Sequence, residues 1–185
     1  MRIHRNRLTL AATAALAPAI VLSIAWPALR AQTAAAARPE PATPAQLTVS
    51  GDVEKPLSLS LDALKHLPRV TVNVKNEHAA KDEAYEGTPF SELIKQAGVA
   101  QGARLRGKAM ATYVIAEGSD GYKVIFSLAE LDADFADAGV IVADTVDGKP
   151  LDEELGPLRL VAPHDKRPAR WVRMLRSIQV VNVAK

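Results

Sequence analysis

The 185-residue chain contains no cysteine. That absence removes disulfides, thiolate-held zinc, iron–sulfur clusters and a cysteine nucleophile together. Histidine is scarce too, four in all with His4 near the start, so a histidine-rich metal centre is not expected. No Walker loop, G-x-G-x-x-G or G-x-S-x-G occurs, and His66, His78 and His164 stand in no recognisable catalytic motif. The 21 acidic residues make the choice of any glycosidase pair arbitrary. Aromatics are only 4% of the chain, which makes the position of each tryptophan and tyrosine informative.

One apolar run is present, and it is at the start. "MRIHRNR" is a basic head, "LTLAATAALAPAIVLSIAWPAL" is uncharged, and small residues follow in "RAQTAAAA". That order reads as a secretory signal peptide over residues 1–31, cleaved between Ala28 and Ala37. The alternative is an uncleaved anchor, because the run is long enough to span a bilayer. Pro18 and Pro27 interrupt the run and favour the signal peptide. Charge follows suit: Arg2, Arg5, Arg7 and Arg30 precede every acidic residue, so the formal +2 of the chain becomes −2 for the remainder. Nucleic-acid binding is therefore not expected. A periplasmic, exported protein is.

Residues 32–45 are alanine, proline, threonine and glutamine with little else, and read as a flexible tether. One domain of ordinary size occupies 46–185. "QLTVSGDVEKPLSLS" reads as two strands around a turn. "SLDALKHLP" reads as a short helix with Ser60 or Asp62 as N-cap and Pro68 as terminator. "RVTVNVKN" alternates as a strand, and "NEHAAKDEAYEG" reads as a polar loop. "TPFSELIKQAG" predicts a helix with a Thr88 cap, Pro89 in its first turn and Gly98 closing it. "ATYVIAEGSDGYKVIFSL" predicts a hairpin turning at Ser119–Gly121, and "SLAELDADFADAG" a helix or a turn of one. "VIVADTVDGKPL" predicts a hairpin with Asp147-Gly148 at a type I′ turn. "LRLVAP" and "SIQVVNV" predict two further strands. Short strands, three modest helices and no β-α-β rhythm give an α+β fold with a mixed or antiparallel sheet and short flanking helices.

Two places carry candidate chemistry. "EGSDGYKV" is explained as a hairpin turn by Asp120-Gly121. It also reads as a turn carrying Asp120 and Tyr122 to the rim of a pocket. "PHDKRPARWVRMLR" sets Lys166, Arg167, Arg170, Arg173 and Arg176 around Trp171. It reads as a solvated loop or, as we favour, a binding loop. Tryptophan beside guanidinium suits a flat, electron-rich heterocycle, by stacking and by a planar fork of donors. Three-residue spacing of Arg170, Arg173 and Arg176 suits one face of a short helical turn.

The order of "GDVEKPLSLSLDAL…LP", "YEGTPFSELIKQAGV", "SDGYKVIFSLAEL" and "GPLRLVAPHDKRPARWVRMLRSIQV" resembles the sulfite-oxidase-like molybdopterin-binding fold. The resemblance covers about Leu47 to Val183. It implies a molybdenum-ligating cysteine within "VTVNVKNEHAA", and none is there, so sulfite-oxidase-type oxygen transfer is not expected. The chain resembles a subgroup of small, exported, cysteine-free members of that fold. That likeness implies a reduced pterin such as tetrahydromonapterin, bound without molybdenum. It also implies a partner, the periplasmic domain of a membrane-bound diguanylate cyclase/phosphodiesterase that controls cyclic-di-GMP and biofilm formation. Trp171 or Tyr122 would stack on the pterin. Arg170, with Lys166 or Arg167, would donate to its carbonyl side, and Asp165, Asp120 or Glu77 would accept from its N–H edge. The alternatives are a molybdopterin oxidoreductase with a non-cysteine ligand, or an interaction domain with a vestigial pocket.

Overall fold

Leucine and valine at alternate positions force the first two strands into one hairpin. In β1 (Gln46–Gly51) and β2 (Leu57–Ser60), Leu47 pairs with Leu59 and Val49 with Leu57, all on the inward face. A computed structural model describes residues 46–76, 81–136 and 138–184. All of them belong to the unit Pro39–Lys185; residues 1–45, where a signal peptide and a tether are expected, lie outside the described residues.

Helix α1 (Leu61–Lys65) starts where expected, the Ser60 hydroxyl accepting from the Ala63 N–H at 3.1 Å. β3 (Val70–Asn76) is followed by β4 (Lys81–Pro89), which occupies most of the stretch expected to be a polar loop. Residues 81–84 face water or are half-buried, so β4 shows no hydrophobic alternation at its start. Helix α2 (Phe90–Gln96) buries Phe90, Leu93 and Ile94, and Gly98 comes after it at φ +77°. Thr88 is not its cap: the hydroxyl is buried and donates to the Leu64 carbonyl, while Pro89 holds the N-cap position.

β5 (Thr112–Gly118) and β6 (Lys123–Ser127) form the predicted hairpin. The expected third helix is a 3-10 turn, Leu128–Leu131, opened by a capping box in which Ser127 and Glu130 bond reciprocally. β7 (Ile141–Val146) and β8 (Lys149–Pro150) enclose Asp147 and Gly148 at φ +49° and +74°, the handedness a type I′ turn requires. β9 (Arg159–Val161) and β10 (Leu175–Asn182) complete the chain.

The strands form two five-stranded sheets among the described residues. Sheet A runs β2-β1-β10-β5-β6, with β1 and β10 parallel and every other pair antiparallel. Sheet B runs β3-β4-β7-β8, with β9 also on β7. The main core lies between the inner face of sheet A (Leu47, Val114, Phe126, Ile178), α2, and Val142 and Leu160 of sheet B. A second cluster, Val74, Tyr85, Ile141, Ala143 and Val161, forms from other side chains of sheet B. The half-buried Trp171 packs against both clusters.

Candidate functional site

β9 is three residues long, and its alternation decides where its one charge goes. Leu160 enters the main core and Val161 the second cluster, while Arg159 runs in beside Tyr85 of β4 and Trp171. The preceding Gly156 makes the approach possible. It sits at φ +78°, and an added Cβ would stand 2.6 Å from Met174.

The Arg159 guanidinium carbon lies 4.9 Å from the centroid of the Trp171 ring and 5.4 Å from that of Tyr85. The two rings meet edge to face, centroids 5.7 Å apart and planes at 83°. Nη1 of Arg159 donates to the Tyr85 hydroxyl at 2.7 Å, which in turn donates to a Glu83 carboxylate oxygen at 3.0 Å. Burial pushes the Tyr85 phenol up to about 12, with Glu83 adding and Arg159 opposing, so the phenol stays a neutral donor. The Trp171 indole N–H donates to the Ala162 carbonyl at 2.9 Å.

One group in this cluster is unmatched. Nε of Arg159 is buried and has no partner. A buried charged donor left without an acceptor costs upward of about 1–3 kcal/mol, and the acceptor that would relieve it is an anion or a carbonyl. Sequence reasoning passed over Arg159, Tyr85 and Glu83. The available signal was a lone arginine in the middle of the apolar run "PLRLVAP".

The residues expected at the site divide around the loop 163–171. Trp171 belongs to the cluster just described. The cation over its ring is Arg159 and not Arg170, which corrects the expected pairing. Arg170 lies over the Phe126 ring at 4.3 Å. Its Nε and Nη2 donate to the Asp165 carboxylate at 2.9 and 2.6 Å, and its Nη1 to Glu130 at 3.0 Å. Tyr122, half exposed, donates its hydroxyl to the Ala169 carbonyl, and Asp120 accepts the Tyr122 backbone N–H within the β5–β6 turn. The structure thus brings Arg170 and Asp165 together on one loop with Tyr122 of the β5–β6 turn against it, each already engaged with protein. Lys166 and Arg167 are exposed at that loop's tip. Glu77 lies outside the described residues.

The helical face of Arg170, Arg173 and Arg176 is a further correction. The turn is a 3-10 segment of three residues, Pro168–Arg170. Arg173 pairs at the surface with Glu154 at 3.3 Å, and Arg176 is exposed on β10. Proline at position 168 permits the turn, but the chain is extended again from Leu175, where β10 begins.

The side chains present do not fit a thiolate-held metal. The chain offers no sulfur ligand of the cysteine type. Among the described residues, no group of three or more His, Asp or Glu side chains is placed to hold a metal ion. The unmatched Arg159 Nε is closed off from solvent beside the two rings, so an outside acceptor reaches it only when a neighbouring side chain moves. Two surface hollows, of about 200 and 430 Å³, lie elsewhere and are lined by none of Arg159, Tyr85 or Trp171.

Residues 36–185 match the family described as the oxidoreductase molybdopterin binding domain. Among solved structures, the chain is similar to the sulfane dehydrogenase SoxCD from Paracoccus pantotrophus. The two share 23% identity over 76% of this chain and 39% of that one, with a TM-score of 0.58. The likeness is one of fold, and the chain spans well under half the length of that structure. A comparison with curated proteins finds no match.

Proposed function

The chain belongs to the oxidoreductase molybdopterin-binding domain family, and from that premise we propose that it is a non-enzymatic, exported binding protein for a reduced pterin. The observation that carries this reading is the Arg159 guanidinium against both the Trp171 and Tyr85 rings, with a buried Nε that no protein group matches. In this reading Arg159 donates to the pterin carbonyl side, the role expected of Arg170, and Trp171 supplies the aromatic wall. Lys166 and Arg167 supply rim charge. One such platform contributes on the order of 1–3 kcal/mol, by analogy with base–aromatic stacking.

The missing cysteine supports binding over oxygen transfer, because molybdenum in this fold takes a protein thiolate and the chain has none to give. The proposal extends to the PruR-type role. The ligand is a tetrahydropterin such as tetrahydromonapterin, the compartment is the periplasm, and the partner is the periplasmic domain of a membrane-bound diguanylate cyclase/phosphodiesterase that sets cyclic-di-GMP and biofilm formation. The basic-apolar-small order of residues 1–31 supports the compartment. Among the described residues no helix is long and apolar enough to cross a membrane.

The test is calorimetry with reduced monapterin and reduced biopterin on protein refolded from denaturant. Saturable heat that Arg159→Gln and Trp171→Ala each abolish supports the reading. Absence of heat with both pterins overturns it. Stoichiometric molybdenum by metal analysis turns the assignment to an oxidoreductase with a non-cysteine ligand.

A further inference from the structure

We propose that Arg170 is a positioning residue: its bonds to Asp165 and Glu130 hold the loop 163–171 against sheet A and thereby set the Trp171 ring for the ligand. This rests on the pterin-binding reading of the same face and deepens it.

Two neighbouring residues face different sheets. Trp171 is fixed on the sheet B side, its ring against Tyr85 of β4 and Arg159 of β9. Arg170 is fixed on the sheet A side, stacked on Phe126 of β6 and bonded to Glu130 just beyond that strand. The stem of the loop is closed by reciprocal backbone bonds between Leu160 and Val172, at 2.9 and 3.2 Å. Between stem and tip, backbone bonds from the Asp165 N–H to the Ala162 carbonyl at 3.2 Å and from the Trp171 N–H to the Pro168 carbonyl at 3.1 Å shape the loop locally, while its ties to Glu130 and Tyr122 are side-chain bonds.

Glu130 is the junction. One of its carboxylate oxygens accepts from Arg170. The other accepts the Ser127 backbone N–H at 2.8 Å and the Ser127 hydroxyl at 2.9 Å. A single carboxylate thus joins the start of the 128–131 turn to the loop. Asp165, in the loop itself, takes the guanidinium fork in two-point fashion, a geometry lysine cannot reproduce. Tyr122 adds a third tie through the Ala169 carbonyl. Every terminal nitrogen of Arg170, and its Nε, therefore has a carboxylate partner within the fold. Three of the five guanidinium N–H donors are committed in this way, and what they hold is a wall of the loop.

The experiment uses the full chain carrying Trp26→Phe, so that Trp171 is the one tryptophan that emits. Arg170→Lys and Glu130→Gln are made singly and together, with circular dichroism to establish that each folds. Without ligand, both single variants shift Trp171 emission to the red and add a fast component to its anisotropy decay. With reduced biopterin, each weakens binding roughly tenfold, and the double variant is no weaker than the worse single. Unchanged Trp171 emission and anisotropy in both single variants overturns the proposal, whatever the affinities. So does Arg170→Lys losing affinity while Glu130→Gln keeps it, the pattern of direct ligand contact. If the parent protein takes up no pterin, the binding reading fails, and the ligand-free fluorescence still decides whether Arg170 sets Trp171.

Discussion

Tyr85 and Arg159, 74 residues apart in sequence, share one hydrogen bond of 2.7 Å between hydroxyl and guanidinium. The phenol donates its own hydrogen bond to Glu83, so it is the relay between a half-buried carboxylate and a half-buried cation. Tyr85→Phe keeps the edge-to-face contact with Trp171 and removes the relay. The expected cost is about 1–3 kcal/mol, read as a lower urea midpoint with unchanged slope.

A second prediction concerns the strut of sheet B. Arg69 grips Asp144 with two nitrogens, at 2.8 and 2.9 Å, and Glu86 with its Nε at 2.7 Å. The Asp144 side chain is 4% exposed. Arg69→Ala strands that carboxylate and is expected to cost about 3–5 kcal/mol. Adding Asp144→Asn should recover part of the loss in the same denaturation assay.

The same carboxylate makes stability depend on acid. Burial resists ionisation of Asp144, but the bonds from Arg69 and Thr145 outweigh it and hold its pKa below the ordinary value. Burial likewise opposes Glu130, and the bonds from Ser127 and Arg170 bring its pKa below the ordinary value. A folded-state pKa that lies low contributes stability above the unfolded value and loses it as pH falls through the folded one. Unfolding free energy should therefore be flat near neutrality and fall as pH drops below about 4. Asp144→Asn should flatten that fall.

Gly156→Ala tests the approach to β9. The position holds φ +78°, and the new methyl would meet the Cα and side chain of Met174. Left-handed strain alone costs about 1–3 kcal/mol, so a clear drop in melting temperature is expected. A pterin binder should lose affinity as well, because Arg159 is three residues on.

Local chemistry carried far in the sequence. Ser60 as a cap, Gly98 after α2, the Asp147-Gly148 turn and the β5–β6 hairpin each depend on a few neighbouring residues, and each is where it was expected. β4 was hidden because its first residues are polar and half wet, although it pairs on both sides. The site was legible as a region and not as contacts. "DKRPARW" marked the right loop, yet the partner that decides what Arg170 does, Glu130, lies 40 residues earlier. Arg159 escaped notice for the opposite reason: charge in a short strand suggests solvent, and only the fold shows its Nε enclosed.

The strand order of sheet A bears on how the molecule assembles. β10 is the last in sequence of the ten strands among the described residues, and it stands in the middle, parallel to β1 on one side and antiparallel to β5 on the other. Until it exists, the sheet is two separate hairpins, β1–β2 and β5–β6, with the edges that face β10 unpaired. Ribosomal synthesis therefore delivers the keystone late. The domain cannot close while its later part is still being made, and the closure itself joins segments of large sequence separation, which is slow.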